Sequence, residues 1–202
     1  MGAIFVNEVV TKVFEEYDCT LGLDVSVNST GVALYQHGVL RLYRISLSHR
    51  YDKKNPMWEA EMKAEFKEHL TKLVKGKKFD LVVVENTING CNAITNKELA
   101  LLNTVFDDLV TEGVCEVSKT NLVRPLPNVW RKALKDLAGS VSASNTKELV
   151  EKLLQRLGFR FILDREGDNL TTKKNSGYFD ICDAVGMLVA YMYKKSSLNK
   201  KT

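Results

Sequence analysis

LGLDVSVNSTGVALY, residues 21–35, places a single carboxylate, Asp24, in the middle of an apolar run. Thr20-Leu21-Gly22-Leu23 has the composition of a strand entering a core. Asn28-Ser29-Thr30-Gly31 is turn chemistry, and Val32-Ala33-Leu34-Tyr35 returns as a second strand. An unpaired charge at that point is costly when buried, so the fold must either expose Asp24 or give it a cation.

Working outward, strands are expected over 19–26, 31–36 and 39–47, an antiparallel meander whose second turn is Gln36-His37-Gly38. Residues 1–18 form an N-terminal extension with helical character, on Phe5, Val9, Val10, Val13 and Phe14. Pro56 introduces a charged helix of roughly twenty residues with Met57, Met62, Phe66, Leu70 and Leu73 on one face. Leu81-Val82-Val83-Val84-Glu85 is a short strand of the kind buried on both faces. A helix is expected over 93–111, with Leu99, Leu102, Phe106 and Leu109 toward the core, then a strand over 114–118 and a helix holding Trp130. Asn145 and Glu148 are spaced as an N-cap and its reciprocal partner. Residues 159–177 read as a polar loop or hairpin, 179–193 as a closing helix, and 194–202 as a basic tail. This order implies an α/β domain over 19–193, with a five-stranded mixed sheet and helices on both faces.

Three apolar segments carry acids: Asp24 in the first strand, Glu85 at the end of the fourth, and Asp180 with Asp183 in the last helix. At i and i+3 the last two share a helix face. Taken singly, each has an ordinary structural use: Asp180 favours a helix start, Glu85 faces a loop, and Asp24 holds the following turn. Should the first and fourth strands be neighbours under the last helix, all four converge, and such a set needs protons or hard cations. Mg²⁺ or Mn²⁺ takes oxygen ligands, and two such ions suit phosphodiester hydrolysis.

Charge is unevenly spread. Residues 119–202 carry 16 Lys and Arg against 8 Asp and Glu, whereas the whole chain of 202 residues has a net charge of +4. A basic C-terminal half suits a polyanion such as nucleic acid. Cys19, Cys91, Cys115 and Cys182 have neither zinc-ligand nor disulfide-framework spacing, which points to reduced thiols in a cytoplasmic setting. No signal peptide is evident, and the run ICDAVGMLVAYMY is too short to span a bilayer. P-loop and HExxH motifs are absent, and His37, His49 and His69 lie away from the acids.

These acidic segments resemble the motifs of the RuvC-like Holliday junction resolvases of the RNase H-like superfamily, most closely their phage-type branch. LGLDVSVNSTGVAL is similar to the first-strand motif, LVVVENTINGCNAITNKELALL to the segment of the strand-terminal glutamate, and YFDICDAVGMLVAYM to the closing DxxDA motif. The resemblance implies that Asp24, Glu85, Asp180 and Asp183 are catalytic metal ligands, with two Mg²⁺ (or Mn²⁺) per site. It also implies a homodimer that nicks four-way DNA junctions in the cytoplasm, that of the host cell if the chain is viral. Lys147 matches a lysine near the scissile strand; Arg131, Lys132 and Lys119 are further expected DNA contacts. Ile88 stands where bacterial members carry a wedging aromatic, and Asp24-Val25-Ser26 where they have Asp-Pro-Gly. Ile94, Leu101 and Val105 are expected to face the partner subunit. Three other readings stay open: an RNase H-like nuclease for flaps or RNA–DNA hybrids, an inactive DNA-binding module, and an ASKHA-type phosphotransferase, whose phosphate hairpin the first motif also resembles.

Overall fold

Alternate residues of strand β1 (Cys19–Asp24) belong to two different cores. Cys19, Leu21 and Leu23 enter one, while Thr20, Gly22 and Asp24 turn to the other face. The structure, a computed structural model, describes residues 8–47, 51–52, 54–86, 93–159 and 176–199. A helix, α1 (Glu8–Glu15), precedes β1. Then follow β2 (Thr30–Gln36), β3 (Val39–Ile45), α2 (Trp58–Val74), β4 (Lys78–Phe79), β5 (Leu81–Val84), α3 (Ala93–Asn103), α4 (Val105–Thr111) and β6 (Glu116–Val117). A 3-10 turn (Lys119–Asn121) leads into β7 (Leu122–Val123), α5 (Pro127–Ala138), α6 (Thr146–Arg156) and α7 (Ser176–Asn199).

The main sheet has five strands in the order β3-β2-β1-β5-β7. The β1–β2 and β2–β3 pairs are antiparallel, whereas β1–β5 and β5–β7 are parallel. The mixed sheet read from the sequence is therefore present. His37 and Gly38, both at positive φ (50° and 78°), make the tight turn between β2 and β3. The Asp80 carboxylate accepts from the Asp18 and Cys19 amides at 2.8 and 2.9 Å, pinning the start of β1 beside β5.

One face of the sheet is covered by α2 and α4, with Met62, Phe66, Leu70 and Phe106 filling the space against Leu21, Leu23, Val82 and Val84. Over the other lie α1, α5, α6 and α7, packed on Ala33, Tyr35, Leu81 and Val83. Helix α7 is the centre of that layer: from Ile181 to Ala190 every residue but Asp183 and Gly186 is a buried hydrophobic. A helix apolar all round is one enclosed on all sides. The N-terminal helix α1 adds Val13 and Phe14, the latter with its ring 4.6 Å from that of Tyr35. Among the described residues no helix is long and apolar enough to cross a membrane.

Several sequence expectations are corrected. The fifth strand of the main sheet is β7, at 122–123. The apolar run at 114–118 contributes β6 instead, which pairs with β4 in a separate two-stranded sheet. Composition marks a strand but does not select its partner. The helix expected over 93–111 breaks at Thr104, whose hydroxyl donates to the Leu101 carbonyl at 2.8 Å while Arg124 takes the Asn103 carbonyl at 3.2 Å. After that break Val105 is fully buried and Leu101 packs against the α2-side core, so of the three residues expected at a partner face Ile94 alone is exposed. Met57 is likewise exposed, sitting before α2 instead of on its core face. Asn145 does cap α6 by accepting the Glu148 amide at 3.0 Å, but Glu148 reaches back to Ser144, at 2.6 Å from its hydroxyl. Helix α7 begins at 176 and runs to 199, longer at both ends than expected. Residues 160–175 and Ile88 lie outside the described residues.

What lets α7 approach the sheet is the absence of side chains at two positions. A Cβ on Gly22 would stand 2.5 Å from the Ala184 carbonyl oxygen, and one on Gly31 would overlap the Asp180 carbonyl. Both obstacles are backbone and cannot rotate away. Gly31→Ala is expected to lower the melting temperature by about 5–10 °C, the effect of a few kcal/mol of overpacking on a domain of this size. Gly38→Ala faces open space, so its cost is confined to the turn. Thermal unfolding followed by circular dichroism compares the two.

Candidate functional site

Strand parity brings the first two acids together. Leu23 pairs with Val84, and the Glu85 amide donates to the Leu23 carbonyl at 3.0 Å, so Asp24 and Glu85 are the next residues along adjacent parallel strands. Asp24 follows Thr20 and Gly22 onto the α7 face, and Glu85 follows Leu81 and Val83. The Asn86 amide, held by the Pro125 carbonyl at 2.9 Å, keeps the chain after Glu85 against the segment that enters α5. Asp24 is 7 % exposed, and its carboxyl shares a hydrogen bond with Glu85.

Helix α7 supplies the other two acids. The backbone carbonyl of Asp180 lies over Gly31, the β2 partner of Asp24 in the sheet register. One turn further, the side chain of Asp183 is 14 % exposed, with Oδ2 accepting from Arg131 Nη2 at 3.0 Å. Its other oxygen, Oδ1, is buried with no hydrogen-bond partner. The same guanidinium nitrogen stands 3.7 Å from Glu85 Oε1, to which Trp130 Nε1 donates at 2.8 Å.

Like charges in a dry place oppose ionisation. Burial holds the Asp24 carboxyl well above the usual carboxylate range, and the charges of Glu85, Asp183 and Asp180 push the same way. Asp183 is raised to about 6, by burial foremost, with Arg131 pulling down against Glu85 and Asp180. Asp180 is also raised by burial, opposed by a hydrogen bond with Ser29 and by the charges of Lys147 and Arg44. Ser29 is held in turn by Arg44 Nε at 2.9 Å.

All four expected acids thus meet at one end of the sheet, although among the described residues no three acidic, His or Cys groups stand close enough to hold an ion as they are. The basic residues divide. Lys147 is near the acids, its ammonium 5.6 Å from the Phe179 ring centroid and its charge felt by Asp180. Arg131, expected as a DNA contact, faces inward and is engaged by Asp183. Lys132 is exposed beside a cleft of about 320 Å³ between α5 and α7, and Lys119 is exposed on the 3-10 turn. Trp130, Ser29 and Arg44 were not anticipated. A buried indole N–H needs an acceptor, and this was the available signal for Trp130. Ser29 looked like turn chemistry alone.

No protein-family model and no curated protein matches the chain. Solved structures do. Thermus thermophilus RuvC in complex with a Holliday junction substrate is 9% identical, with a TM-score of 0.53, over 89% of this chain and 96% of that one. The yeast mitochondrial Holliday junction resolvase Ydc2 is 10% identical, with a TM-score of 0.61, over 95% and 86%. A second Thermus thermophilus RuvC structure is 15% identical, with a TM-score of 0.50, over 89% and 96%. At such identities the likeness concerns the fold. This chain shares the fold of these RuvC and Ydc2 structures.

The raised pKa of Asp183 has a defined sign in stability. Its folded value of about 6 exceeds the unfolded value of about 3.9, so the folded chain binds the proton more tightly. That stabilisation is fully present below about pH 4 and is lost as pH rises through 6. In chelator, Asp183→Asn is therefore expected to gain on the wild type across this window, by about 2–3 kcal/mol at pH 7. Urea unfolding at several pH values gives the difference; a constant offset between the two chains would refute it.

Proposed function

We propose that this chain is a divalent-metal-dependent endonuclease that cuts branched DNA, four-way junctions foremost, working as a homodimer in the cytoplasm. The observation that carries the reading is the register of β1 and β5, which sets Asp24 beside Glu85 under the two acids of α7. The substrate class is taken from the fold's solved neighbours, a RuvC bound to a Holliday junction substrate and a mitochondrial Holliday junction resolvase.

The donor set fits a hard cation. It consists of carboxylate oxygens alone, one of them (Asp183 Oδ1) buried without a partner, and the raised Asp24 and Asp183 are groups that a cation would restore to the charged form. Asp24, Glu85 and Asp183 would hold the ion, with Asp180 completing a second position. Bound there, Mg²⁺ or Mn²⁺ supplies Lewis acidity to a phosphodiester and lowers the pKa of water. The chain's own part is orientation. Trp130 holds one oxygen of Glu85; Ser29, itself held by Arg44, hydrogen-bonds Asp180; and the strand backbone holds Asp24. Lys147 stands where it can meet a phosphate drawn to the acids, and Lys132 and Lys119 add sequence-independent attraction for DNA.

Cleavage of a synthetic four-way junction, beside linear duplex, flap and RNA–DNA hybrid, tests the reading. Paired nicks that require Mg²⁺ or Mn²⁺ are expected on the junction. Asp24→Asn should reduce the rate by more than about 100-fold, beyond the 10–100-fold typical of losing an outer partner of a ligand. Trp130→Phe, which loses the donor to Glu85, should fall within that 10–100-fold range. Cutting of flaps or hybrids alone would keep the chemistry and replace the substrate. Junction binding without any cutting would reduce the chain to a binding module. Sedimentation at micromolar concentration tests the homodimer.

A further inference from the structure

We propose that Arg131 is the built-in counter-ion of the acidic site, holding Glu85 and Asp183 in the metal-free chain and leaving them when a divalent cation binds. The inference rests on the metal-site reading above and deepens it: the arginine competes with the metal and so sets its affinity.

Three observations support this. First, Arg131 Nη2 lies against oxygens that a cation would use, 3.0 Å from Asp183 Oδ2 and 3.7 Å from Glu85 Oε1. A second positive charge cannot share those oxygens at contact distance without strong repulsion. Secondly, the guanidinium is poorly satisfied there. One nitrogen makes both carboxylate contacts and Nε is buried with no hydrogen-bond partner, so the bidentate fork that makes Arg–carboxylate pairs strong is absent. Thirdly, neighbouring residues divide the work. Trp130 holds Glu85 through its indole N–H, so that carboxylate keeps its place without the arginine. The Trp130 ring also carries the guanidinium, 4.6 Å from its centroid, and the Arg131 side chain is 23 % exposed, which gives it a path outward.

Binding of Mn²⁺ to the full chain, followed by the electron paramagnetic resonance of the free ion, tests the proposal in wild type, Arg131→Gln and Arg131→Lys. Arg131→Gln is expected to bind Mn²⁺ about tenfold tighter or more and to melt lower in chelator, the second because Glu85 and Asp183 lose the cation that pairs with them. Arg131→Lys, which keeps the charge on a single flexible ammonium, should fall between and serves alone if Arg131→Gln does not fold without metal. In a Trp58→Phe background, Mg²⁺ should shift Trp130 emission when Arg131 is present and not in Arg131→Gln. Unchanged or weaker Mn²⁺ affinity in both variants would overturn the proposal while leaving the metal site standing. Absence of Mn²⁺ binding in all three chains would overturn the metal-site reading and the proposal together.

Discussion

Backbone contact between α7 and the sheet is the constraint on which the molecule depends. Gly22 and Gly31 present no side chain to the helix, so the carbonyls of Ala184 and Asp180 come to rest where Cβ atoms would otherwise stand. On its far side α7 presents Gly186 to the side chains of Trp130, Leu134 and Val150, which pack α5 and α6 over it. The order of layers is thus sheet, α7, then α5 with α6. The acids of α7 reach Asp24 and Glu85 because the helix is this near, and Trp130 reaches Glu85 because α5 follows it inward.

Such closeness has an electrostatic cost. Four carboxylates at one end of a buried layer would ordinarily be removed or scattered, since each desolvated anion raises the free energy of its neighbours. The chain instead surrounds them with cations of different reach: Arg131 in contact, Lys147 and Arg44 acting on Asp180. Hydrogen bonds from Trp130 and Ser29 orient carboxylates without neutralising them. The result is an arrangement in which burial and neighbouring like charges hold Asp24 and Asp183 toward their protonated forms.

The second sheet and the broken helix show how sequence pattern and structure part company. The runs 114–118 and 122–123 are both short and apolar, and only the second lies beside β5. Arg124 decides the helix break from twenty residues away by taking the Asn103 carbonyl and pairing with Asp107 at 2.8 Å. No window of local sequence contains both partners. The same holds for Val105, whose apolar character fits equally a core or a partner surface until the break at Thr104 sets its direction.

From the sequence alone came the mixed sheet, the meander with its Gln36-His37-Gly38 turn, and the four acids as a set; the first turn, expected at 28–31, ends before Thr30, where β2 already begins. Those features rest on local rules: alternation in strands, glycine at positive φ in a hairpin, and carboxylates whose presence in apolar runs is itself a signal. Tertiary structure decided which face each acid takes, that Trp130 would be the partner of Glu85, and that Arg131 would turn inward to Asp183 instead of outward to solvent. Those outcomes depend on packing between elements far apart in the chain. A single side chain has the same composition whether it meets water, a phosphate or a buried carboxylate, so only the assembled layers determine which it meets.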